Sequence, residues 1–354
     1  MDESGIAASC ARTEVEAAKG LEAAMVGELS DNGERSDVDV EQKVRLSDGA
    51  ETVLTEFGRG MGPVVLAVHG IPGSRMSWKR LGEHLSGYRV FAYDQRGHGD
   101  AWQVSGPMHL AQHVEDLKAV AAAIGEPIYA LVGHSWGGAV VILSAAAVGV
   151  AKVVPADPML YVVPGSWRHE FLDDVEHDLS LPAAERARML EERFRTWHPD
   201  DVAGKIHAMQ RMTPECVRRL GEENGVDSRG WDLRNVVAEF GRSLLLLVAG
   251  PEDSVIRPED LEALRQVENP HIVLRMFPGE GHNLHRTAFA AFLREVQQFL
   301  DGSPAIAADV RGEVEPPSRR APRRLGGSPI SVSSSASGLG FGRGALPDRR
   351  GCLE

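Results

Sequence analysis

The chain has 354 residues, of which 43% are hydrophobic and 25% are charged, and this is the composition of an ordinary soluble globular protein. The length accommodates one large α/β domain with tails, or two smaller domains. The formal net charge of −13 argues against non-specific binding to nucleic acid or to an anionic membrane, because the field of the protein repels phosphate groups.

The two ends of the chain lack the pattern of a folded core. Residues 1–38 are rich in Ala, Glu, Ser, Asp and Gly, and residues 302–354 combine Pro, Gly, Ser and Arg without apolar periodicity. Both segments are predicted to be disordered tails, which leaves 39–301 as the folded domain. The arginines of the second tail could contact an anionic partner, but a solvated tail is the favoured interpretation.

The sequence also bears on the cellular compartment. The first residues, MDESG, are acidic, and no apolar segment of the kind found in secretory signals follows them. The run 139–150 is too short to cross a bilayer. Cys10, Cys216 and Cys352 are odd in number and far apart, which argues against a disulfide framework. We therefore expect a cytoplasmic protein.

Between the tails, apolar strands alternate with helical segments. The sequence first predicts a hairpin over 43–58 with Asp48-Gly49 as its two-residue turn. Further strands are predicted in PVVLAVHG, YRVFAYD, PIYALVGHS, AKVVPADP, SLLLLVAGPED and HIVLRMFPGEGH, and helices over 76–85, about 110–124, after Ser135 and through AFAAFLREVQQFL. Continuous apolar strands separated by helices indicate a mainly parallel sheet with helices on both faces.

The stretch from about 159 to 242 interrupts this alternation. It is charged and helical in pattern, and no clear buried strand occurs in it. We predict a helical cap here, lying over the carboxyl edge of the sheet, where open α/β sheets bind their ligands. Apolar and aromatic side chains in this part of the chain are candidates for substrate binding: Met159, Tyr161, Trp167, Trp197 and Trp231.

A serine lies at a predicted strand-to-helix turn. Gly133 and Gly137 place small residues two positions on either side of Ser135, in the pattern Gly-x-Ser-x-Gly. A sharp turn of this kind exposes the hydroxyl above the sheet and needs small neighbours. The segments YALV before it and AVVILSAAA after it supply the strand and the helix that the motif requires, so Ser135 is predicted to be a nucleophile.

A serine hydroxyl needs a base, and the base needs an orienting carboxylate. His282 follows the last apolar strand and is the predicted base, with His285 as a minor competitor. Asp253 and Asp157 each follow a strand and lie between Ser135 and His282 in the chain. Asp253 is favoured because its Gly-x-x-Asp loop precedes the strand that leads to His282, and Asp157 stays open as the alternative.

The oxyanion of an acyl-transfer intermediate needs two backbone N–H donors. One is predicted at Trp136, directly after the nucleophile, and the second at Ile71, in the loop after VVLAVHG. His69 and His98 are interpreted as structural residues of their loops. No metal site is predicted, because the spacing of the histidines in the cap segment matches no compact metal motif: His169, His198 and His207.

Five segments in this order resemble the motifs of the α/β-hydrolase fold superfamily: HGIPGS, YDQRGHGD, GHSWGG, GPEDSV and GEGHNLH. The resemblance covers about residues 40–301 and is to the capped branch, which contains esterases, epoxide hydrolases, dehalogenases, perhydrolases and carbon–carbon bond hydrolases. It implies an α/β fold with a mostly parallel central sheet, flanking helices and a helical cap inserted after the sixth strand.

Two departures from the family pattern qualify this resemblance. Epoxide hydrolases and haloalkane dehalogenases of this type carry aspartate where this chain has Ser135, which disfavours their alkyl-ester intermediate. Relatives often have serine shortly after the RGHG turn, where this chain has Asp100 and Ala101.

The function predicted from these residues is that of a cofactor-independent serine hydrolase. It would act through a Ser-His-Asp triad and an acyl-enzyme on a small or medium, mostly apolar ester-like substrate, as a carboxylic ester hydrolase does. A perhydrolase or carbon–carbon bond hydrolase of the same fold is one alternative, and a non-catalytic ligand-binding protein is another. The expected partner is a small-molecule substrate, with no nucleic acid and no membrane. The sequence indicates neither the acyl group nor the oligomeric state.

Overall fold

The structure is a computed structural model that describes residues 39–58, 61–103, 106–162, 170–226, 230–303 and 311–314. The predicted tail 1–38, most of the predicted tail 302–354, and the candidate residues Trp167 and His169 lie outside these ranges. Among the helices of the described ranges, none combines the length and the apolar character that crossing a membrane requires.

The described strands form one large sheet and one small one. Their bounds are β1 Val40–Arg45, β2 Glu51–Phe57, β3 Val64–Val68, β4 Arg89–Tyr93, β5 Ile128–His134, β6 Lys152–Ala156, β7 Tyr161–Val162, β8 Trp231–Asp232, β9 Ser243–Ala249, β10 Ile272–Phe277 and β11 Arg311–Glu313. The large sheet has the order β1-β2-β4-β3-β5-β6-β9-β10-β11, and β7 pairs with β8. The antiparallel pairs among the described strands of the large sheet are β1 with β2 and β2 with β4, and the other pairs are parallel. The predicted hairpin is therefore present, but Leu46 N–H donates to the carbonyl oxygen of Ala50 at 2.7 Å, so residues 47–49 form its loop in place of the predicted two-residue turn. The carboxyl ends of β3 to β10 in this sheet share one edge.

Helices connect the strands. Their bounds are α1 Lys79–His84, α2 Leu110–Ile124, α3 Trp136–Val148, α4 Glu170–Ser180, α5 Ala183–Arg193, α6 Pro199–Arg211, α7 Pro214–Gly221, α8 Arg234–Ala238, α9 Pro258–Arg265, α10 Leu284–Thr287 and α11 Phe289–Leu300. Short 3₁₀ turns occur at Arg75–Trp78 and Gly99–Ala101, and a π-turn occurs at Glu222–Val226. The ring of His109 caps the start of α2, and left-handed Gly125 ends it, as glycine commonly does at helix ends.

The sheet separates two apolar cores. In β3, Val64, Leu66 and Val68 pack into one core, which also holds residues of α2 and α3. The alternate residues Val65 and Ala67 pack into the other core, with residues of α1 and α11. Because successive side chains of a strand point to opposite faces, a strand covered on both sides is apolar at every position. This explains the continuous apolar runs in the sequence and confirms the α/β class.

The helices α4 to α7 lie between β6 and β9 in the chain and contact loops at the carboxyl edge. The Asp201 carboxylate pairs with Arg80 at 2.5 Å, and Ser74 Oγ donates to the carbonyl of Gly204 at 3.3 Å. The Sγ of Cys216 on α7 lies 3.2 Å from the carbonyl oxygen of Gly97. These contacts place the helical insertion beside the loops that follow β3 and β4.

One short segment departs from the predicted disorder of 302–354. Arg311–Glu313 pairs in parallel with β10, and the side chain of Val314 is buried in the second core. Backbone hydrogen bonding to a strand edge needs no particular side chain, and three residues are too few to show a strand's apolar alternation. Composition alone therefore gave no sign of this strand.

Candidate active site

The turn at Ser135 joins β5 directly to α3. Ser135 has φ 55° and ψ −117°, a region that residues other than glycine seldom occupy. A Cβ on Gly137 would lie 2.3 Å from the carbonyl oxygen of Val68 and 2.5 Å from that of His69. Helix α3 therefore starts in direct contact with the end of β3, and only glycine permits this approach.

The loop after β3 lies against the same turn. A Cβ on Gly70 would come within 2.9 Å of the Cβ of Ser135, so Ile71, the next residue, belongs to the backbone that borders the serine. The ring of His69 fixes this loop, since its Nε2 accepts the N–H of Gln95 at 3.0 Å and its Nδ1 faces the carbonyl oxygen of Gly70 at 2.9 Å. These bonds agree with the interpretation of His69 as a structural residue.

His282 pairs with Asp157. Nδ1 of His282 donates to Oδ2 of Asp157 at 2.6 Å, and the Asp157 side chain is fully buried. Asp157 has φ 43°, a backbone conformation that is uncommon for residues other than glycine. The same carboxylate accepts hydrogen bonds from Ala249 N–H at 3.1 Å, Ser254 Oγ at 2.6 Å and Val255 N–H at 3.0 Å. Because Nδ1 carries the proton of this bond, Nε2 of a neutral His282 ring is the nitrogen that can accept a proton.

Asp253 is not the carboxylate on the His282 ring, and this corrects the favoured sequence prediction. Asp253 is exposed, and its Oδ2 accepts the backbone N–H of His282 at 3.1 Å. The loop after β9 directs its backbone amides and Ser254 toward Asp157, which leaves Asp253 on the outer side of the turn. The alternative that the sequence left open is the one that the structure selects.

The segments that carry Ser135, Asp157 and His282 lie side by side at one edge of the sheet. The N–H of Ser135 donates to the carbonyl oxygen of Ala156 at 3.0 Å, and Asp157 follows Ala156 directly. The Nε2 of His134, the residue before the serine, donates to the carbonyl oxygen of His282 at 2.9 Å. Adjacent parallel strands β5 and β6 thus supply the serine and the carboxylate, and the loop after β10 supplies the histidine.

Comparison with known proteins agrees with this architecture. A sequence model of the Alpha/beta hydrolase family matches residues 64–295. The chain belongs to the alpha/beta hydrolase family. It is 26% identical to the N-formylmaleamate deformylase of Pseudomonas putida over 253 residues, which are 68% of this chain and 90% of that protein. It is 31% identical to a bifunctional esterase/perhydrolase of Acinetobacter calcoaceticus over 147 residues, 38% of this chain and 53% of the relative, so the chain spans about half the length of that relative.

Solved structures show the same fold. An E-2-(acetamidomethylene)succinate hydrolase superposes with a TM-score of 0.59 at 20% identity, covering 75% of this chain and 100% of that one. An esterase from Thermogutta terrifontis superposes with a TM-score of 0.56 at 24% identity, covering 74% of this chain and 98% of that one. The expected α/β-hydrolase fold is confirmed, and the named relatives are hydrolases.

Several histidines of this alpha/beta hydrolase are buried beneath the site. Burial lowers the pKa of His69 to about 4 and that of His98 to about 3. Burial also lowers the pKa values of His113, His134 and His285 well below their usual range. His285 packs on Trp78 and His134 with ring centroids 5.4 and 4.1 Å apart, so this competitor for the role of base is a buried core residue.

The predicted substrate residues lie in different surroundings. The N–H of Met159 donates to the carbonyl oxygen of Ser135 at 3.1 Å, and Nε1 of Trp231 donates to the carbonyl oxygen of Met159 at 3.0 Å. Both therefore border the serine turn. The guanidinium carbons of Arg234 and Arg257 lie 4.5 and 4.4 Å from the ring centroid of Tyr161, and Trp197 stacks on Phe194 with centroids 4.1 Å apart.

One group of side chains has the right atoms for a metal. Asp94, Asp100 and His207 each offer one ligand atom within 4.8 Å of the others. Arg75 pairs with both carboxylates, at 2.8 Å from Asp100, and Arg211 pairs with Asp100 as well. Because two guanidinium groups already neutralise these carboxylates and would repel a cation, we interpret the group as an ion-pair network.

Two cations near the site were not singled out from the sequence. Lys205 on α6 donates to the carbonyl oxygen of Pro72 at 3.1 Å, and Arg286 on α10 is 7% exposed. Charged residues in a charged segment are normally solvated, so the sequence contains no signal that separates these two from their neighbours.

Proposed function

We propose that this protein is a serine hydrolase in which Ser135, His282 and Asp157 form the catalytic triad. The observation that carries the proposal is the bond of 2.6 Å between the buried Asp157 carboxylate and His282 Nδ1, beside a serine with positive φ on a strand-to-helix turn. A neutral serine hydroxyl is a poor nucleophile, and this arrangement provides its base in the required tautomer.

The proposed reaction is acyl transfer to water. The Oγ of Ser135 attacks the carbonyl carbon of an ester-like substrate while Nε2 of His282 takes the hydroxyl proton. The backbone N–H groups of Trp136 and Ile71 stabilise the negative oxygen of the tetrahedral intermediate, and the start of α3 adds the positive end of its helix dipole. The bond to the leaving group then breaks, and His282 gives it the proton.

Water completes the cycle. His282 takes a proton from water, the hydroxide attacks the acyl-enzyme carbonyl carbon, and the proton returns to Ser135 as the acid leaves. Asp157 stays ionised and stabilises the positive ring in both steps. No cofactor or metal takes part. Met159 and Trp231, which border the serine turn, are the proposed apolar walls for the acyl group.

Active-site labelling tests this proposal. We expect a fluorophosphonate probe to label the wild-type protein and p-nitrophenyl esters to be hydrolysed, with both activities lost in Ser135→Ala. Ser144→Ala is the matched control, because Ser144 lies on the same helix α3, is buried, and donates to the carbonyl oxygen of Val140 at 2.7 Å. Undiminished labelling of a folded Ser135→Ala variant would reject Ser135 as the nucleophile.

Perhydrolysis is a second candidate, favoured by the partial match to an esterase/perhydrolase. Hydrogen peroxide would then replace water in the attack on the acyl-enzyme and yield a peracid. Peracid formation from acetate and hydrogen peroxide, compared with ester hydrolysis by the same preparation, separates the two activities.

A further inference from the structure

Arg286 carries a buried positive charge beside the site. It lies four residues after His282, and its side chain is bonded only to neutral groups in the described part of the chain. Nη1 donates to Asn283 Oδ1 at 2.7 Å and Nη2 donates to Ser77 Oγ at 2.9 Å. Its buried Nε has no hydrogen-bond partner among these residues. A guanidinium with an unsatisfied buried donor is costly unless an anion accepts from it.

Lys205 brings a second cation to the same place. Its described hydrogen bond is to a neutral carbonyl oxygen, that of Pro72 at 3.1 Å. Burial and, to a smaller extent, the neighbouring charge of Arg286 lower the pKa of Lys205 to about 7. The two carboxylates that act on these cations from a distance are already paired with other residues, Asp178 with Arg193 and Asp201 with Arg80, each at 2.5 Å.

Both cations lie on one aromatic pair. The guanidinium carbon of Arg286 is 4.8 Å from the ring centroid of Trp197, and Nζ of Lys205 is 5.8 Å from that of Phe194. The rings of Phe194 and Trp197 are stacked. Aromatic faces stabilise cations, yet they leave the outer sides of those cations available for an anion. We call these four side chains the cation cluster.

The cation cluster borders the proposed catalytic groups. Lys205 bonds to Pro72, which follows the proposed oxyanion residue Ile71, and Arg286 follows His282 in the same segment. The charges of Arg286 and Lys205 both contribute to the lowered pKa of His134, the residue that precedes Ser135. Two basic side chains without a described carboxylate partner therefore lie near the serine, although the protein as a whole carries a formal net charge of −13.

We propose that the substrate carries a carboxylate that Lys205 and Arg286 bind while its acyl group reaches Ser135. The substrate class is that of half-esters and related acyl derivatives of short dicarboxylic acids. This inference rests on the proposed function for the reaction, but the anion site itself is defined by the cluster alone. Charge-assisted bonds to a buried carboxylate are among the stronger polar contacts in proteins, so the cluster would set specificity.

Matched substrates test the inference. We compare p-nitrophenyl hemisuccinate with p-nitrophenyl butyrate, which have four-carbon acyl chains and differ in the terminal carboxylate. We expect kcat/KM of the wild-type protein to favour the hemisuccinate by about tenfold or more, since a charge-assisted bond contributes about 1.5–3 kcal/mol and 1.4 kcal/mol is a factor of ten. Lys205→Met and Arg286→Gln should each reduce this ratio by about ten- to a hundredfold.

Lys79→Met is the control variant. Lys79 is a cation at the same junction with α6, but it pairs with Asp200 at 3.3 Å and with Glu83 at 3.7 Å. It should leave the substrate ratio unchanged. Urea unfolding of each variant shows whether it is folded. A wild-type protein that hydrolyses butyrate as well as or better than hemisuccinate, or a ratio that Lys205→Met leaves unchanged, would overturn the inference.

Binding without chemistry separates this inference from the proposed function. Titration calorimetry with succinate, butyrate and inorganic phosphate is carried out on the wild-type, Ser135→Ala and Lys205→Met proteins. We expect succinate to bind more tightly than butyrate to the first two, and this preference to be lost in the third. If succinate binds in this way but neither ester is hydrolysed, the proposed reaction is wrong and the anion site stands. If phosphate binds more tightly than succinate, the carboxylate assignment is wrong.

Discussion

Replacing Asp157 by asparagine tests which of two carboxylates, Asp157 or Asp253, orients the ring of His282. In the wild-type protein each oxygen of Asp157 accepts two hydrogen bonds: Oδ1 from Ala249 N–H and Ser254 Oγ, and Oδ2 from Val255 N–H and His282 Nδ1. An amide keeps two acceptor sites on its oxygen, but its NH₂ group then faces two donors. With the NH₂ group in the place of Oδ2, the Val255 N–H is left without an acceptor, and His282 presents an unprotonated Nδ1.

The expected loss of activity follows from that change of tautomer. With its proton moved to Nε2, His282 cannot accept the proton of Ser135, and kcat should fall by about 10³- to 10⁴-fold. This corresponds to about 4–5.5 kcal/mol of lost transition-state stabilisation. The stranded backbone donor should lower the free energy of unfolding by about 1–3 kcal/mol.

The matched variant is Asp253→Asn. Asp253 is exposed and accepts one backbone N–H, and an asparagine oxygen can accept the same bond. Its loss of activity should stay below about tenfold, because asparagine keeps this exposed bond as a neutral one, and such a bond contributes about 1 kcal/mol. The assay measures kcat with a p-nitrophenyl ester and unfolding in urea for both variants. If folded Asp157→Asn kept its activity within about tenfold while Asp253→Asn lost about 10³-fold, the assignment of Asp157 would be refuted.

Two further predictions concern stability. Gly137→Ala should destabilise the protein by about 3 kcal/mol or more in urea unfolding, because its Cβ would meet the Val68 carbonyl oxygen at 2.3 Å. Gly241→Ala, where nothing lies within 4 Å, should change stability little, and equal losses in the two variants would contradict the packing argument. The free energy of unfolding should also fall as the pH drops below about 6.5. Burial lowers the pKa values of His69 and His98, so these rings stay neutral in the folded protein but bind protons in the unfolded chain. The stabilisation that each neutral ring contributes is complete above the pKa of an unfolded histidine, about 6.5, and it should fall by about 2 kcal/mol by pH 5. A free energy of unfolding that stays flat between pH 7.5 and pH 5 would show that these rings are not held neutral.

The sequence alone was sufficient for the long strands of the large sheet, the fold class and the serine turn. These features depend on local patterns: apolar runs buried on two faces, and glycines at Gly133 and Gly137 around Ser135. The steric reason for Gly137 is visible only in the structure, but its position in the motif was readable from five residues. The histidine after the last long apolar strand also lies at the expected edge of the sheet.

The choice between Asp157 and Asp253 could not be read from the sequence, because both follow strands and both precede His282. The tertiary structure decides it through sheet order, since β6 lies between β5 and β9 in the sheet. That position lets Asp157 collect the backbone donors of the loop after β9, while Asp253 turns outward to the His282 N–H. The cation cluster is likewise a tertiary feature. Lys205 and Arg286 are 81 positions apart in the chain, and only the packing of the helical insertion beside the loops after β3 and β10 brings their charges to one aromatic pair.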